Sequence, residues 1–307
     1  MKGQEEIASA DTATIVRHLL GCGAEFLSQI GVESARLDAE LLLGHILGWS
    51  REKLWLNHEL PVEATKRELF EHALRRRAQR EPVAYITGVR EFWSLDFCVT
   101  PEVLIPRPET ELLVELALRA MKPLKVPGLR LRVIDLGTGA GAIAVSLAKE
   151  CENVEVWATD LSLGALKVAE ANARRHKVED RIRFLHGDLF ERVIEAKNSF
   201  DMIISNPPYV RRSEIKNLPP DVREWEPLLA LDGGADGLDV YRRIIKEGAV
   251  YLKDGGSMLL EIGADMGNDV SRLFEGNGGY SDISVNADYA GKFRVAVARK
   301  RILGGGS

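Results

Sequence analysis

Four consecutive residues, about two-thirds of the way along the chain, could hold a planar nitrogen in line with an electrophile. They are Asn206-Pro207-Pro208-Tyr209. The side-chain oxygen of Asn206 and the carbonyl oxygen of Pro207 can each accept one N–H. These two hydrogen bonds would fix an amide or ring-amine nitrogen with its lone pair directed at the electrophile. The prolines stiffen this backbone, and Tyr209 offers a ring for stacking. Asn206, Pro207 and Tyr209 are therefore candidate catalytic residues, and Pro208 joins them as a candidate substrate-binding residue.

A glycine-rich segment upstream is typical of a nucleotide-binding turn. It reads Asp135-Leu136-Gly137-Thr138-Gly139-Ala140-Gly141 and leads straight into an apolar helical pattern. Glycines permit the turn and let a ligand reach main-chain N–H groups at the positive end of a helix. The loop also satisfies the dinucleotide pattern, so both NAD and S-adenosylmethionine stay open as cofactors. Asp135 favours S-adenosylmethionine, because a carboxylate there would attract an ammonium group and repel a pyrophosphate.

Acidic residues follow the next two predicted strands. Asp160 stands where a carboxylate can accept hydrogen bonds from both hydroxyls of a ribose, although an N-cap for the next helix is the alternative. Asp188 could accept from an adenine amino group, and Leu189 could cover the ring. Ligands of an open parallel sheet gather beyond the carboxyl ends of its strands. These residues, residues 135–141 of the glycine loop and Asn206 are therefore predicted to form one cofactor site.

The pattern of apolar residues predicts the fold that brings these motifs together. Short apolar runs at 131–136, 154–159, 182–186, 200–205 and 257–262 alternate with helical patterns at 142–149, 163–176 and 238–252. Two more strands are expected at 281–285 and 293–298, as an antiparallel edge. The sequence therefore predicts an α/β fold with a doubly wound, mainly parallel, seven-stranded sheet.

The same pattern divides the chain into parts. Residues 1–82 carry apolar residues at helical spacing and predict a small all-α bundle. Residues 83–108 are rich in aromatic and β-branched residues and predict a β-hairpin connector. Residues 109–303 hold the α/β core, and the Gly-Gly-Gly-Ser at 304–307 is expected to be a flexible tail.

Composition restricts the class of protein. The 307-residue chain has a net charge of −5, which argues against binding nucleic acid mainly through phosphates, although Arg75, Arg76, Arg77 and Arg80 keep a local RNA contact open. The 3 cysteines lie far apart, so neither a metal site nor a disulfide framework is expected. No run approaches the roughly 20 apolar residues that a membrane span needs. A monomeric cytoplasmic protein that does not contact membranes is expected.

Taken together, these motifs resemble class I methyltransferases that act on planar nitrogens. The upstream segment Ile105-Pro106-Arg107-Pro108-Glu109-Thr110-Glu111 narrows the resemblance to the HemK/PrmC family, which methylates the glutamine of the Gly-Gly-Gln loop in class I peptide chain release factors. The resemblance covers nearly the whole chain. It implies S-adenosylmethionine as methyl donor, S-adenosylhomocysteine as product, release factors as protein substrates that the N-terminal bundle helps to hold, and Arg107 as a substrate-binding residue near the cofactor. Leu189 departs from the tryptophan of some members.

Other functions use parts of the same pattern. A ribosomal-protein glutamine methyltransferase shares the tetrapeptide but usually differs from the Arg-Pro-Glu-Thr-Glu sequence at 107–111. A nucleic-acid methyltransferase could grip adenine N6 or guanine N2 with the same residues, provided that the base is flipped out or single-stranded. A dinucleotide-dependent oxidoreductase would use the glycine loop, and a non-catalytic binding protein would use the N-terminal bundle alone.

Overall fold

The computed structural model describes residues 14–122 and 130–302, which form two compact units divided between Thr87 and Gly88. The sequence placed the end of the bundle earlier, at residue 82. The expected tail at 304–307 and the first 13 residues lie outside the described residues.

The first unit is helical. Its helices are α1 (Val16–Gln29), α2 (Ala35–Leu47), α3 (Arg51–Leu56), α4 (Ala64–Ala78) and α5 (Val83–Thr87). Apolar residues at helical spacing, such as Leu20, Leu42 and Phe70, are buried in one cluster. A buried ion pair between Asp38 and Arg77, at 2.7 Å, joins α2 to α4. The apolar stripes therefore have the helical partners that their periodicity requires.

Part of the segment expected to be a hairpin is helical. Helix α5 begins after Pro82, whose carbonyl oxygen accepts the N–H of Tyr85 at 3.0 Å, and Tyr85 is buried. Proline suits the start of a helix because its missing N–H would be unpaired there anyway. The hairpin itself belongs to the second unit, where β1 (Val89–Phe92) pairs antiparallel with β2 (Leu95–Cys98).

The rest of the second unit alternates strands and helices. After a 3₁₀ turn at Pro108–Thr110 come α6 (Glu111–Met121), β3 (Leu131–Leu136), α7 (Ala142–Glu150), β4 (Val154–Asp160), α8 (Leu163–His176), β5 (Ile182–His186), β6 (Phe200–Ser205), α9 (Pro220–Arg223), α10 (Asp239–Tyr251), β7 (Leu252–Glu261), α11 (Gly267–Asn277), β8 (Tyr280–Ala287) and β9 (Phe293–Lys300).

These strands form the mainly parallel seven-stranded sheet that the sequence predicts. Its order is β5-β4-β3-β6-β7-β9-β8, with the five strands from β5 to β7 parallel and β9 and β8 antiparallel at one edge. The chain builds outward from β3 to β5 and then returns to β6 on the other side of β3. Ligands bind at such a reversal, beyond the carboxyl ends of the strands.

Strand β7 is longer than its apolar run, which the sequence placed at 257–262. It starts at Leu252, immediately after α10, and contains Gly255 and Gly256. Glycine weakens a strand pattern and often accompanies an irregular register. The pairing with β6 does shift register near this point, between Phe200 and Met202.

A buried asparagine on α8 ties the hairpin to the glycine loop. The Asn172 side-chain oxygen accepts the N–H of Cys98 at 2.7 Å, and its NH₂ group donates to the carbonyl oxygens of Cys98 at 3.0 Å and Ala140 at 2.8 Å. Asn172 is fully buried, so removing its side chain would leave these backbone groups without their protein partner.

Asn172→Ala should therefore lower the free energy of unfolding by about 3 kcal/mol, since it leaves buried backbone groups without partners. Urea unfolding of the variant and of wild type measures the difference. Asn153→Ala, at an exposed position in the turn before β4, is the control and should leave stability near wild type. A variant at 172 as stable as the control would contradict the role given to Asn172.

Candidate active site

A cavity of about 310 Å³ lies where the carboxyl ends of the parallel strands meet. Its walls include residues that follow four different strands: Gly137 after β3, Asp160 at the end of β4, Gly187 after β5 and Asn206 after β6. The structure thus brings together the four strand ends that the sequence singled out.

The glycine loop forms one wall of this cavity through Gly137, Thr138, Gly139 and Ala140. Gly137 and Gly139 have φ of +70° and +55°, and a Cβ on either would meet no heavy atom within 4 Å. The left-handed backbone therefore requires glycine, and the space beside the loop is open. Gly141 does not line the cavity; a Cβ there would lie 3.1 Å from that of Ala169, so this glycine allows α7 to approach α8.

Asp160 joins the glycine loop to the start of α8. Its Oδ2 accepts the N–H of Gly139 and its Oδ1 that of Ser162, both at 2.8 Å. The N-cap of α8 is Ser162, whose hydroxyl oxygen accepts the N–H of Ala165 at 3.1 Å. Burial raises the pKa of Asp160, and the backbone N–H groups oppose that rise. Each carboxylate oxygen keeps a lone pair with which it could accept from a ribose hydroxyl.

Asp135 lies behind the cavity wall. It is fully buried, and its Oδ2 accepts the hydroxyl hydrogen of Thr138 at 2.7 Å, whereas its Oδ1 has no hydrogen-bond partner among the described residues. Burial raises its pKa to about 7, against the lowering effect of Thr138. The sequence expected this carboxylate to meet a ligand ammonium directly. In the structure Thr138 stands in the wall, and Asp135 holds Thr138.

Asp188 and Leu189 both line the cavity, but Asp188 has a partner that the sequence did not suggest. Its Oδ2 forms an ion pair with Nη2 of Arg243, on α10, at 2.9 Å. Both side chains are about half exposed, so the pair contributes little to stability. No local motif marks Arg243, because it reaches the cavity from an element 55 residues further along the chain.

Asn206 and Pro208 line the cavity, whereas Pro207 and Tyr209 are absent from its wall. The Asn206 NH₂ group donates to the hydroxyl oxygen of Thr110, over 3.2 Å. Tyr209 packs partly buried against the core, and burial raises its pKa to about 12, so its phenol is neutral. The tetrapeptide therefore presents an amide from Asn206 on the wall and anchors its far end in the core.

Arg107 also lines the cavity, where a buried carboxylate holds it. Nη2 of Arg107 lies 2.5 Å from Oε1 of Glu226, and Oε2 of Glu226 accepts the N–H of Ile105 at 3.1 Å. Burial raises the pKa of Glu226, and Arg107 lowers it. Glu226 thus fixes the segment at 105–107. Sequence reasoning missed it, because nothing at 226 marks a partner that lies 119 residues away.

A second buried carboxyl that the sequence did not indicate ends β7. Glu261 is 1% exposed, and burial raises its pKa to about 7, while a hydrogen bond from Thr110 lowers it. Thr110 therefore influences the pKa of Glu261 and accepts a hydrogen bond from Asn206.

The described residues hold no group of three or more His, Cys, Asp and Glu side chains arranged to bind a metal ion. Within these same ranges, no helix has the length and apolar character to span a membrane.

Comparison with known proteins gives two family matches. Residues 18–88 match the PrmC N-terminal domain, and residues 110–218 match the methyltransferase small domain. The two matches divide the chain near the boundary between its two compact units.

Curated relatives match nearly the whole chain. Release factor glutamine methyltransferases from Rhodopirellula baltica and Geobacter sulfurreducens are each 40% identical to it, over 95% and 92% of this chain and 98% and 96% of their own. The enzyme of the same name from Moorella thermoacetica is 43% identical, over 93% of this chain and 99% of its own. The resemblance to the HemK/PrmC family is confirmed.

Among solved structures, the hMettl16 catalytic domain, crystallised in complex with the MAT2A 3'UTR hairpin 6, superposes with a TM-score of 0.56. It is 18% identical, over 73% of this chain and 81% of its own. This likeness concerns the fold alone, and with the family matches it confirms the class I methyltransferase architecture.

Asp135→Asn should flatten the pH dependence of the free energy of unfolding between about pH 5 and 7. The folded-state pKa is about 7, whereas a carboxyl in the unfolded chain titrates near about 4. The folded protein thus binds a proton that the unfolded chain has lost. This stabilisation is complete below the unfolded pKa and is lost as the pH rises through the folded one, at about 1.4 kcal/mol per pH unit.

Urea unfolding at closely spaced pH values measures both slopes. Asp180→Asn makes the same charge change at an exposed position and is the control. Equal slopes for wild type and Asp135→Asn would contradict the burial of a protonated Asp135.

Proposed function

This chain belongs to the family of release factor glutamine methyltransferases, and we propose that it transfers a methyl group from S-adenosylmethionine to the side-chain amide nitrogen of the glutamine in the Gly-Gly-Gln loop of class I release factors. The observation that carries the proposal is Asn206, a hydrogen-bonding amide on the wall of the cavity that the glycine loop also lines. The oxidoreductase alternative is excluded by the family.

The cavity has features that suit a ligand with a nucleoside and an amino-acid part. The open space beside Gly137 and Gly139 gives access to main-chain N–H groups at the start of α7. Asp160 has lone pairs for ribose hydroxyls, and Asp188 with Leu189 lies where the sequence expects adenine. Asp135 lies behind Thr138, and its pKa of about 7 allows the carboxyl to ionise when a positive group binds nearby. When bound, S-adenosylmethionine would supply an electrophilic methyl group on a positive sulfonium sulfur, with the neutral thioether of S-adenosylhomocysteine as the leaving group.

Residues of the tetrapeptide would align the glutamine amide. The Asn206 side-chain oxygen and the Pro207 carbonyl oxygen accept its two N–H groups, and the lone pair then points along the transfer direction. The same oxygens stabilise the positive charge that develops on the nitrogen. That charge makes the nitrogen lose its proton readily after transfer, so no strong base is required. Pro208 stiffens the turn, Tyr209 anchors its far end in the core, and Arg107, held by Glu226, lines the cavity that the substrate would enter.

The helical unit offers a surface for a protein substrate. Trp55 and Leu56 are each 77% exposed, and Leu60 is 45% exposed. Neighbouring exposed apolar side chains are typical of protein interaction sites, and aromatic ones contribute most to binding energy. This surface supports a role for the bundle in holding release factors, which act in translation and make the cytoplasm the expected location.

Mass spectrometry tests the substrate directly. A purified release factor, and a variant with the loop glutamine changed to alanine, are incubated with the enzyme and S-adenosylmethionine. One added methyl group on that glutamine, absent from the variant, is the expected result. Methylation of ribosomal protein or of nucleic acid instead, with the release factor unmodified, would replace the proposal by one of those substrates.

Asn206→Ala should lower kcat by about 10²- to 10³-fold, because it removes a hydrogen-bond acceptor that acts in the transition state. The Kd for S-adenosylmethionine should stay unchanged in calorimetry, since the loop and Asp160 remain. Asn153→Ala is the control and should retain full turnover. Wild-type kcat in Asn206→Ala would remove the basis of the proposed function.

Asp160→Ala should raise the Kd for S-adenosylmethionine by about 10- to 100-fold, because hydrogen bonds to a charged acceptor contribute about 1.5–3 kcal/mol. Calorimetry measures this binding without any methyl transfer. Asp180→Ala makes the same change at an exposed position and should bind as wild type does. An unaltered Kd for Asp160→Ala would show that Asp160 serves only the loop and helix that it joins.

A further inference from the structure

We propose that Glu261 is a positioning residue for methyl transfer: acting through the Thr110 hydroxyl, it determines which end of the Asn206 amide faces the cavity. The inference rests on the proposed function, because it concerns the residue that would hold the substrate nitrogen. It gives a role in the reaction to two residues at the cavity, Glu261 from the end of β7 and Thr110 from the turn before α6.

The sheet register brings Glu261 beside Asn206. Strands β6 and β7 are parallel neighbours, and Ser205 is paired with Leu260. The next residue of each strand is therefore Asn206 on one and Glu261 on the other, at the same edge of the sheet. Thr110 completes the group, because it ends the 3₁₀ turn before α6, lines the cavity and is only 4% exposed.

The hydrogen atoms of this group can be assigned from chemistry. Thr110 has one hydroxyl hydrogen, and we assign the neighbouring Glu261 carboxylate as its acceptor, because an interaction with Thr110 lowers the pKa of Glu261. Its oxygen can then only accept, and it accepts from Nδ2 of Asn206 over 3.2 Å. The NH₂ end of the Asn206 amide is thus committed to Thr110. The carbonyl end is left to accept an N–H from a ligand in the cavity.

An amide in the opposite orientation would be inactive. It would present NH₂ toward the substrate nitrogen, and two donors cannot pair. Isolated asparagine has little preference between the two orientations, so a neighbour must supply one. The Glu261 carboxylate sets the orientation of the Asn206 amide through the Thr110 hydroxyl, because a carboxylate accepts hydrogen bonds and has no hydrogen to donate.

The charged and titratable groups around Glu261 come from several elements. Arg294 and Arg107 favour its carboxylate, Glu109 disfavours it, and the phenols of Tyr209 and Tyr241 are near enough to be affected by its charge. Burial outweighs the two arginines and raises the pKa of Glu261 to about 7. Its Oε2 has no hydrogen-bond partner among the described residues. Ionisation of this carboxyl is therefore expected near neutral pH.

Protonation of Glu261 would release the orientation. A protonated carboxyl no longer needs the Thr110 hydrogen, which can then turn toward Oδ1 of Asn206 and stabilise the reversed amide. The ionised form is the active one. Turnover should consequently rise with pH through about 7 as Glu261 ionises.

Two substitutions test the arrangement, with kcat, KM and the Kd for S-adenosylmethionine measured across this pH range. Thr110→Val, which keeps the shape but removes the hydroxyl, should lower kcat by about 10²-fold, as loss of a transition-state contact does, with KM and Kd unchanged. Thr110→Ser should restore it. Glu261→Gln should lower kcat and abolish the rise near pH 7, because a side-chain amide at this position does not ionise. Glu152→Gln, at an exposed position, is the matched control.

A readout in the free protein separates this inference from the proposed function. The Asn206 side-chain NH₂ resonances, assigned by their loss in Asn206→Ala, should shift with a midpoint near pH 7 in wild type but not in Thr110→Val or Glu261→Gln. If wild type shows this shift yet leaves release factors unmethylated, the proposed function fails and the coupling stands. The inference would be overturned if the Asn206 NH₂ resonances of wild type did not shift with pH. It would also be overturned if Glu261→Gln kept the wild-type kcat and its rise near pH 7.

Discussion

A hydrogen-bond acceptor can aim a planar nitrogen only if its own orientation is fixed, and this requirement organises the site. The amide of Asn206 has an acceptor end and a donor end of nearly equal size. Its donor end is bound to Thr110, which leaves the acceptor end for the substrate. The backbone that carries it is stiffened by Pro207 and Pro208, directly after a buried strand of the sheet. Methyl transfer to a weak nucleophile depends on positioning of this kind more than on an acid or a base.

Three buried carboxyls each hold a residue that lines the cavity. Asp135 accepts from Thr138, Glu226 pairs with Arg107, and Glu261 is the acceptor that we assign to the Thr110 hydroxyl. Burial raises the pKa of all three, which is the cost of keeping an acceptor away from water. Their common effect is to fix side chains on the wall without exposing a competing charge in the cavity.

The sequence predicted the parts of this arrangement that local patterns encode. Each motif directly follows an apolar run that predicts a strand: the glycine turn, Asp160 and the tetrapeptide at 206–209. Because the carboxyl ends of parallel strands meet at one edge of a sheet, these motifs are expected to lie together. Glu226, Arg243 and Glu261 carry no local signal, because their partners lie on elements far away in the chain. The same limit explains Asp135, whose position behind Thr138 depends on burial, and α5, whose apolar and aromatic residues suit a helix as well as a strand.

The most direct measurement is a crystal structure of the enzyme with S-adenosylhomocysteine and a peptide that contains the Gly-Gly-Gln loop. The glutamine side-chain nitrogen should lie within about 3 Å of both the Asn206 side-chain oxygen and the Pro207 carbonyl oxygen. The Asn206 NH₂ group should donate its hydrogen bond to Thr110. A glutamine nitrogen bound elsewhere, or an Asn206 amide turned with its NH₂ group toward the substrate, would contradict this arrangement.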